Sequence, residues 1–391
     1  MPAPAPAELR RDFLLDPEVA FLNHGSFGAC PRLVFERYQR WQSELEREPV
    51  DFISRRLPGL LADARAELAR YVGAGPADLA FVANATTGVN LAARALDLQP
   101  GDEVLTTDLE YGACDLAWEW LCRRTGAAYV RAPIPLPLDT AATVADALFA
   151  AATERTRVVY VSHVTSDTAL VLPVEEIVRR ARELGLTTIV DGAHAPAHVP
   201  LDIGGLGADF YSGNAHKWLC SPKGAAFLHA RPEWQERVDA PIVSWGYEPG
   251  TTFSERIEKQ GTRDCAAWLA VPDAIRYQAE REWGDARARC HALACTARRQ
   301  LCEQLGTAAL APDEMLGQMA TVELRQPAPT LSERLFRHHR VEIPTMRPGD
   351  SRLRISIAAY TTEEEVERLL TALARELDPE EREQDEQPDP E

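Results

Sequence analysis

The stretch that decides the fold is a short apolar strand that runs into a polar turn, Ala208-Asp209-Phe210-Tyr211-Ser212-Gly213-Asn214-Ala215-His216-Lys217-Trp218. In an open sheet of parallel strands, ligands bind beyond the carboxyl ends of the strands. Lys217 follows such an end closely. The stretch therefore predicts both a sheet and a lysine at the functional edge of that sheet.

Lysine is rare in this chain, which has three (Lys217, Lys223 and Lys259) among 42 basic residues, the other 39 being arginine. Arginine is permanently charged, whereas a lysine amine can lose its proton when it is desolvated and can then attack a carbonyl carbon. A lysine kept in such a background is a candidate for covalent chemistry. The alternatives for Lys217 are a surface lysine and an ion-pair partner, and its position at a strand end favours the covalent role.

Short apolar strands alternate with amphipathic helices from about residue 79 onward. This alternation predicts an α/β fold with a mainly parallel sheet that helices cover on both faces. We expect strands near 79–82, 103–106, 127–131, 157–161, 187–190, 209–212 and 225–229. We expect helices near 33–47, 58–72, 87–97, 113–124, 140–152 and 173–184.

The pattern changes near residue 262. A long helical stretch over 264–305 is followed over 319–376 by a strand, a helix, two strands and a helix, which is typical of a smaller α+β unit. The sequence thus predicts four parts, namely an N-terminal arm (1–30), a large domain (31–263), a small C-terminal domain (264–377) and a disordered acidic tail (378–391).

Charge and cysteine content limit the class of protein. The net charge of -18 argues against nucleic acid or an anionic membrane surface as the main partner, although the tail contributes -7 of it. No apolar stretch approaches the length of a membrane span. The eight cysteines form no CxxC pair and no metal-ligand spacing with histidine, which indicates reduced thiols in a cytoplasmic protein without a metal site.

Polar loops follow the other predicted strands. After 79–82, the run 84–88 could bind an anion at the start of a helix, or Thr86 could simply cap that helix. After 103–106, the ring of Tyr111 could stack on a flat ligand. After 187–190, Asp191 follows apolar residues directly, so its carboxylate should be buried and should either cap the next helix or pair with a cation.

These residue types together suit pyridoxal 5'-phosphate (PLP). That cofactor requires a lysine that binds it covalently, a carboxylate that keeps its pyridine nitrogen protonated and an anion site for its phosphate. Lys217, Asp191 and the Thr86 loop supply these three parts. Two unit charges about 4 Å apart, at an effective dielectric constant near 20, attract by roughly 4 kcal/mol, which is enough to hold the ring protonated.

The chain resembles the class-V aminotransferase group of fold-type I PLP-dependent enzymes, and within it the isopenicillin N epimerase-like branch, which is related to cysteine desulfurases and C–S lyases. The resemblance covers about residues 20–375 and agrees with the α/β sheet and smaller C-terminal α+β domain expected above. It rests on five motifs: Leu22-Asn23-His24-Gly25-Ser26-Phe27-Gly28, Asp191-Gly192-Ala193-His194, His216-Lys217-Trp218, Gly261-Thr262-Arg263-Asp264 and Arg354-Ile355-Ser356-Ile357-Ala358.

The resemblance implies a role for each matching residue. Lys217 would be the Schiff-base lysine and general base, and Asp191 would pair with the pyridine nitrogen. Ser166 and His194 would lie near the phenolic oxygen of the cofactor, and Tyr111 would stack on its ring. Cysteine desulfurases usually have His and Asn where Tyr111 and Ser166 stand.

The remaining implied roles concern the phosphate and the substrate. The α-carboxylate of an amino-acid substrate would be bound by Arg354, with Asn23 and His24 beside it. In a homodimer with shared active sites, the phosphate would contact Thr262 of the second subunit. Within one subunit it would contact Ala85, Thr86, Thr87, Ser212 and His216.

The absence of one cysteine narrows the set of reactions that the resemblance allows. Desulfurases need a cysteine nucleophile on the loop before the carboxylate-binding arginine, and residues 343–351 contain none. The chemistry then starts with removal of the α-proton by Lys217. We expect β-elimination from a cysteine S-conjugate, a C–S lyase reaction. Epimerisation, with Tyr111 or His24 as a second acid, and transamination are the alternatives, and retention of Lys217 and Asp191 opposes a catalytically silent interaction protein.

Overall fold

A computed structural model describes residues 3–346 and 349–378 of the chain. The acidic tail predicted at 378–391 lies outside the described residues except for its first position. Among the helices of the described ranges, none combines the length and the apolar character that crossing a membrane requires. The predicted domain boundaries stay a prediction.

The described chain is rich in helices and contains twelve strands. The strands are β1 (Ala20–Phe21), β2 (Leu79–Val82), β3 (Glu103–Thr107), β4 (Ala128–Ala132), β5 (Thr156–Ser162), β6 (Thr187–Gly192), β7 (Phe210–Asn214), β8 (Ala226–Ala230), β9 (Met319–Glu323), β10 (Val341–Glu342), β11 (Thr345–Met346) and β12 (Arg352–Ser356). The helices are α1 (Pro6–Arg10), α2 (His24–Phe27), α3 (Arg32–Arg47), α4 (Pro49–Asp51), α5 (Leu57–Val72), α6 (Ala85–Arg94), α7 (Gly112–Thr125), α8 (Ala142–Ala150), α9 (Val174–Glu183), α10 (Ile203–Leu206), α11 (Pro232–Gln235), α12 (Phe253–Glu258), α13 (Ala266–Leu269), α14 (Val271–Ala279), α15 (Trp283–Leu305), α16 (Leu331–His339) and α17 (Glu363–Leu377).

The main sheet has seven strands in the order β2-β8-β7-β6-β5-β3-β4. Strands β4, β3, β5, β6 and β7 pair in parallel, and β8 runs antiparallel between β7 and β2. The prediction of a mainly parallel sheet is confirmed, and the seven predicted strands correspond to β2 through β8. The polar loops that the sequence places after the parallel strands therefore meet at one edge.

Apart from the edge strand β4, the strands of this sheet are buried on both faces, which explains why they are largely apolar. Successive residues belong to two different cores: Leu105 and Val190 face one side, whereas Val104 and Ile189 face the other. Residues of α6 and α7 pack in the second core. When the side chains of a strand point alternately into two buried cores, neither face of the strand needs polar residues.

The C-terminal part forms a three-stranded antiparallel sheet in the order β11-β12-β9. The N-terminal segment joins it, because β1 pairs in parallel with β10 and the amide of Ser356 donates to the carbonyl oxygen of Leu22 at 2.9 Å. The sequence pattern predicted β9, β10, β12, α16 and α17, but it missed the short β11. It also could not show that residues 20–22 pair with residues more than 300 positions away.

Gly28 sets how closely the N-terminal segment approaches Lys217. Its φ is +71°, a conformation that favours glycine, and a Cβ there would lie 2.1 Å from the carbonyl oxygen of His216 and 2.8 Å from Cα of Lys217. No other side chain fits without moving the backbone of the lysine loop. The N-terminal segment and the lysine loop are thus in backbone contact.

We expect Gly28→Ala to lower the free energy of unfolding by about 2–4 kcal/mol, because it combines a left-handed φ with a backbone clash. Gly185→Ala is the matched control, since Gly185 has a φ of +70° but open space around its Cβ. The control should lose only about 1 kcal/mol. Urea unfolding of the two variants measures the difference, and equal losses would show that the contact with the lysine loop carries no energy.

Candidate active site

A cavity of about 240 Å³ lies at the carboxyl edge of the main sheet. The loops after β2, β3, β5, β6 and β7 all contribute to its wall, as the strand order requires. The predicted site residues that line it are Thr86, Tyr111, Ser166, Asp191, His194, His216 and Lys217. The other lining residues, to which the sequence assigned no individual role, are Ser26, Phe27, Asn84, Ser162, Val164, Ala193 and Asn214.

Lys217 is half-buried and lines the cavity, and its Nζ lies 3.0 Å from Nε2 of His194. Burial lowers the pKa of Lys217 to about 7, and the positive charge of Arg354 acts in the same direction, whereas Asp191 raises it. A lysine with this pKa is substantially uncharged at neutral pH. It can therefore act as a nucleophile or as a base.

Asp191 is 3% exposed and lies at the end of β6. One carboxylate oxygen accepts from the amide of Ala193 at 2.9 Å, and the other accepts from the hydroxyl of Tyr160 at 3.4 Å and the thiol of Cys114 at 3.5 Å. Burial raises its pKa, and the Ala193 amide and the Lys217 charge oppose that rise. The helix-cap alternative is wrong, because the following helix, α10, is capped by Asp202.

Asn84, and not Thr86, caps the helix after β2. Its side-chain oxygen accepts from the Thr87 amide at 2.8 Å, so α6 starts at Ala85, two residues before the predicted start. The Ala85 amide donates to Asn214 at 2.8 Å. In the described part of the chain, the Thr86 amide is therefore the first-turn donor of α6 without a side-chain acceptor, which suits an anion at this helix N-terminus.

Several residues predicted for the phosphate do not line the cavity. The amides of Ala85 and Thr87 donate to asparagine side chains, as described above. The Ser212 hydroxyl donates to the backbone carbonyl oxygens of Phe227 (3.0 Å) and Ala85 (3.2 Å). The Ala85 and Ser212 contacts hold α6 against β7, and the Thr87 amide closes the cap on Asn84. The phosphate contacts predicted for these three residues stay predictions.

His216 does line the cavity. Its Nδ1 lies 3.0 Å from the carbonyl oxygen of Ala225, and a carbonyl oxygen only accepts, so Nδ1 carries the proton. Burial lowers the pKa of His216 to about 4, which makes the ring neutral at physiological pH. A bound phosphate dianion beside it would favour the protonated ring.

Arg354 is 2% exposed and does not line the cavity. Its guanidinium donates to the carbonyl oxygen and hydroxyl of Ser166 at 2.9 and 3.2 Å and to the hydroxyl of Ser26 at 2.8 Å. Its Nε has no acceptor among the described residues. Burial lowers the pKa of Arg354 to about 10, so the group stays cationic directly behind two lining residues, with donors to spare.

Asn23 and His24 do not reach the cavity, contrary to the expectation that they lie beside the substrate. Asn23 accepts from the Ser26 hydroxyl at 2.5 Å and so supports Arg354 indirectly. His24 is fully buried, with Nδ1 2.8 Å from the Tyr360 hydroxyl and Nε2 3.1 Å from the carbonyl oxygen of Lys217. Since both ring nitrogens are occupied behind Lys217, His24 is excluded as a second acid.

Tyr111 lies at the mouth of the cavity, 43% exposed. The loop that carries it is fixed by the preceding Glu110, a buried carboxylate that the sequence reasoning missed. Glu110 accepts from the Thr107 hydroxyl at 2.6 Å and from the amide and hydroxyl of Ser162 at 2.8 and 2.6 Å. Burial raises the pKa of Glu110 to about 8, although these donors oppose the rise.

Thr262 lies away from this cavity. It is exposed in a groove of about 730 Å³ that Trp245 and Arg65 also line. The predicted contact with the phosphate of a second subunit stays a prediction. Trp245 and Val243 nearby are 72% and 74% exposed, which is unusual for large apolar side chains and is typical of a surface that another protein covers.

One group of possible metal ligands exists in residues 3–346 and 349–378, namely His338, His339 and Glu376, whose ligand atoms lie within 4.8 Å of one another. Both imidazoles contact the same carboxylate oxygen, and Arg334 donates to the other at 2.7 Å. These contacts join α16 to α17 and satisfy the carboxylate without an ion. We assign them a structural role.

The lining residues fit PLP by their chemistry. Lys217 offers an uncharged amine, Asp191 a buried carboxylate, and Thr86 an amide at a helix N-terminus. His194 and Ser166 add hydrogen-bonding groups between them. No single strand supplies this set, so the fit depends on the loops of the sheet being brought together.

A family model described as "Aminotransferase class-V" matches residues 34–369. The chain belongs to the class-V aminotransferase family. The resemblance inferred from the five motifs is thereby confirmed, and this class-V protein is a PLP-dependent enzyme with the α/β fold expected of fold type I.

Two relatives match most of this class-V chain. The chain is 42% identical over 386 residues to the isopenicillin N epimerase of Streptomyces clavuligerus. The match covers 94% of this chain and 97% of that protein. It is 34% identical over 331 residues to a putative L-cysteine desulfhydrase of Oryza sativa subsp. japonica. This match covers 78% of this chain and 67% of that protein. The relatives thus include both an epimerase and a putative L-cysteine desulfhydrase.

A solved structure supports the class-V fold. A complex between the cystine C–S lyase C-DES and its product cysteine persulfide superposes with a TM-score of 0.79 at 23% identity, over 92% of this chain and 98% of that chain. A further C-DES structure holds glycine covalently linked to the PLP cofactor. At this identity the likeness establishes the shared fold.

We expect PLP to be bound covalently to Lys217. Wild-type protein incubated with PLP and reduced with borohydride should carry the label on the peptide that contains Lys217, as mass spectrometry would show. Lys217→Arg should carry none, because a guanidinium is a poor nucleophile. Lys223→Arg and Lys259→Arg complete the lysine controls and should both be labelled; a label on either of those lysines instead would refute the assignment.

Proposed function

We propose that this enzyme removes the α-proton of an amino-acid substrate and then eliminates a thiol from Cβ, that is, that it cleaves the C–S bond of a cysteine S-conjugate. PLP supplies the electron sink that makes the α-proton acidic. The observation that carries the proposal is the amine of Lys217, a lining residue with a pKa of about 7. A general base with a pKa near the working pH is the most effective kind.

The protonation states of the lining histidines favour a reaction that needs a single base over one that also needs an acid. Burial lowers the pKa of His194 well below its usual range and that of His216 to about 4, so neither imidazole is a proton donor at neutral pH. Elimination needs no second acid on the opposite face of the substrate. The α-proton would pass to Lys217, and the C–S bond would break with its electron pair on sulfur. Lys217 would then return the proton to the thiolate, which leaves as the thiol, and water would convert the three-carbon remainder to pyruvate and ammonia.

Asp191 and Arg354 would set the charges of the site. Asp191 would keep the pyridine nitrogen of the cofactor protonated, and its Tyr160, Cys114 and Ala193 donors would hold the carboxylate in place. Arg354 would bind the α-carboxylate, which would take over as acceptor from the Ser26 and Ser166 hydroxyls. Charge-assisted pairs of this kind are the strong ones in a buried site.

Epimerisation is the second candidate. Two epimerases, at 42% and 40% identity, match nearly the whole chain and favour it. Epimerisation requires a proton donor on the face opposite Lys217, and Tyr111, which lines the cavity, is the candidate for that role. Tyr111 therefore distinguishes the two reactions.

A homodimer with shared active sites is part of the same proposal. It is supported by the exposed apolar side chains near Thr262 and by the position of Thr262 outside the cavity of its own chain. A cytoplasmic location agrees with the reduced cysteines, since none of the eight forms a disulfide.

If Arg354 binds the α-carboxylate, Arg354→Ala should raise KM for every amino-acid substrate by roughly 100-fold, equivalent to about 2.7 kcal/mol of lost binding, while the visible absorbance of bound PLP remains. Arg352→Ala is the control, because Arg352 lies on the same strand but pairs with Glu323. Steady-state kinetics with both variants would decide the matter. An unchanged KM in Arg354→Ala would remove Arg354 from the substrate site.

The reaction type is tested by incubating the enzyme with a set of cysteine S-conjugates without any added keto acid. A lyase should release pyruvate, ammonia and free thiol in equal amounts and for many turnovers, and Tyr111→Phe should retain most of this activity. An epimerase would invert the substrate, exchange its α-proton with deuterated solvent without forming pyruvate, and lose inversion in Tyr111→Phe. A transaminase would stop after one turnover until a keto acid was supplied, and either result would overturn the lyase assignment.

A further inference from the structure

Trp218 follows the candidate lysine and is almost fully buried, with 2% of its surface exposed. Its indole lies against two imidazoles, with ring centroids 4.9 Å from His24 and 4.4 Å from His198. The indole Nε1 lies 3.3 Å from Nδ1 of His194. An indole N–H can only donate, so Nδ1 of His194 must accept.

The proton of a neutral His194 is therefore on Nε2, the nitrogen that lies 3.0 Å from Nζ of Lys217. A ring N–H directed at Nζ needs a lone pair to accept it. An ammonium group has none, whereas a neutral amine has one. The hydrogen bond from Trp218 thus selects the uncharged form of Lys217 by fixing the tautomer of the histidine between them.

A second histidine holds the backbone of His194. The amide of Gln318 donates to Nε2 of His198 at 2.5 Å, and a backbone amide can only donate. The proton of His198 is therefore on Nδ1, which donates to the carbonyl oxygen of His194 at 3.0 Å. Both the main chain and the ring of His194 are thus fixed by one-way hydrogen bonds.

The charged and titratable groups around Lys217 also change its pKa, but they act separately from the hydrogen bond that His194 donates. Burial and Arg354 lower its pKa, and Asp191 and Cys114 raise it. An N–H donor at Nζ acts in addition and disfavours the ammonium form. If His194 carried its proton on Nδ1, Nε2 would accept from an ammonium group and would favour the charge instead.

We propose that Trp218 is a positioning residue that keeps Lys217 uncharged before PLP binds, because its indole N–H fixes His194 with the proton on Nε2. An uncharged amine is the form that attacks the aldehyde carbon of PLP. This inference rests on the proposed role of Lys217 as the PLP-binding lysine. It can be tested on the full-length apoprotein, where neither turnover nor the choice between lyase and epimerase matters.

The small number of lysines makes a direct measurement possible. Protein labelled with ¹³C at lysine Cε should give three side-chain signals, which Lys223→Arg and Lys259→Arg would assign. The titration midpoint of Lys217 should be near or below 7 in the wild type and should rise by about one unit in Trp218→Phe, a tenfold change in the proton-binding constant. The Lys223 signal serves as the internal control.

Trp118→Phe is the matched control variant. Trp118 is also fully buried, but its indole nitrogen has no hydrogen-bond partner among the described residues. The same loss of ring volume there removes no hydrogen bond, so the Lys217 midpoint should not move. At pH 7, Trp218→Phe should also combine with PLP about fivefold more slowly than Trp118→Phe, because less of its Lys217 is uncharged.

A measurement on the wild type guards against a Trp218→Phe variant that does not fold. In apoprotein labelled with ¹⁵N-histidine, the His194 ring, assigned by its loss in His194→Gln, should show the proton on Nε2 at neutral pH. A proton on Nδ1, an imidazolium ring or an unchanged Lys217 midpoint in folded Trp218→Phe would overturn the proposal. If the apoprotein behaves as stated but the PLP-loaded enzyme shows no turnover, the proposed function alone would be refuted.

Discussion

The site depends on the partial removal of Lys217 from water. An ammonium group is stabilised mainly by hydration, so an enclosed lysine loses its proton much more readily than an exposed one. Arg354 strengthens this effect, and Asp191 limits it by adding a negative charge to the same cavity. The balance leaves a lysine that changes its charge near neutral pH, which is the property that both covalent attachment and proton transfer require.

The sheet makes this enclosure possible because its parallel strands end at one edge. Hydrogen bonds between the loops then fix their relative positions: Asn214 holds the first amide of α6, and Glu110 connects the ends of β3 and β5. The amide of His163 also donates to the carbonyl oxygen of Asp191 at 2.8 Å, which continues the ladder between β5 and β6 past the last strand residue. Hydrogen bonds therefore attach these parts of the cavity wall to the sheet.

The N-terminal segment closes the site from a different direction. Ser26 connects Arg354 on β12 to the cavity, and Gly28 lets the segment touch the backbone of the lysine loop. The segment is in turn attached to the C-terminal part through β1 and Leu22. A group that binds to Arg354 thus acts on residues that also support the lysine loop, which gives the C-terminal part a physical connection to the chemistry.

The sequence by itself determined the order of strands and helices, the parallel sheet and the edge at which function lies, because a strand buried on both faces must be apolar and its polar loop residues must follow it. It also pointed to Lys217 and Asp191, both of which line the cavity at that edge. What it could not determine is which polar atoms face the cavity. Ser212, Ala85 and Thr87 form hydrogen bonds within the protein scaffold, and His24 lies behind the lysine. Ser26, Asn214 and Glu110 contribute to the site although the sequence indicated no role for them. Contacts between segments far apart in the chain set most of these outcomes. Only the tertiary structure could decide them, because a hydrogen-bonding side chain of a given type can serve the fold or the ligand equally well, and the choice is made by the partner that packing brings within 3 Å or so.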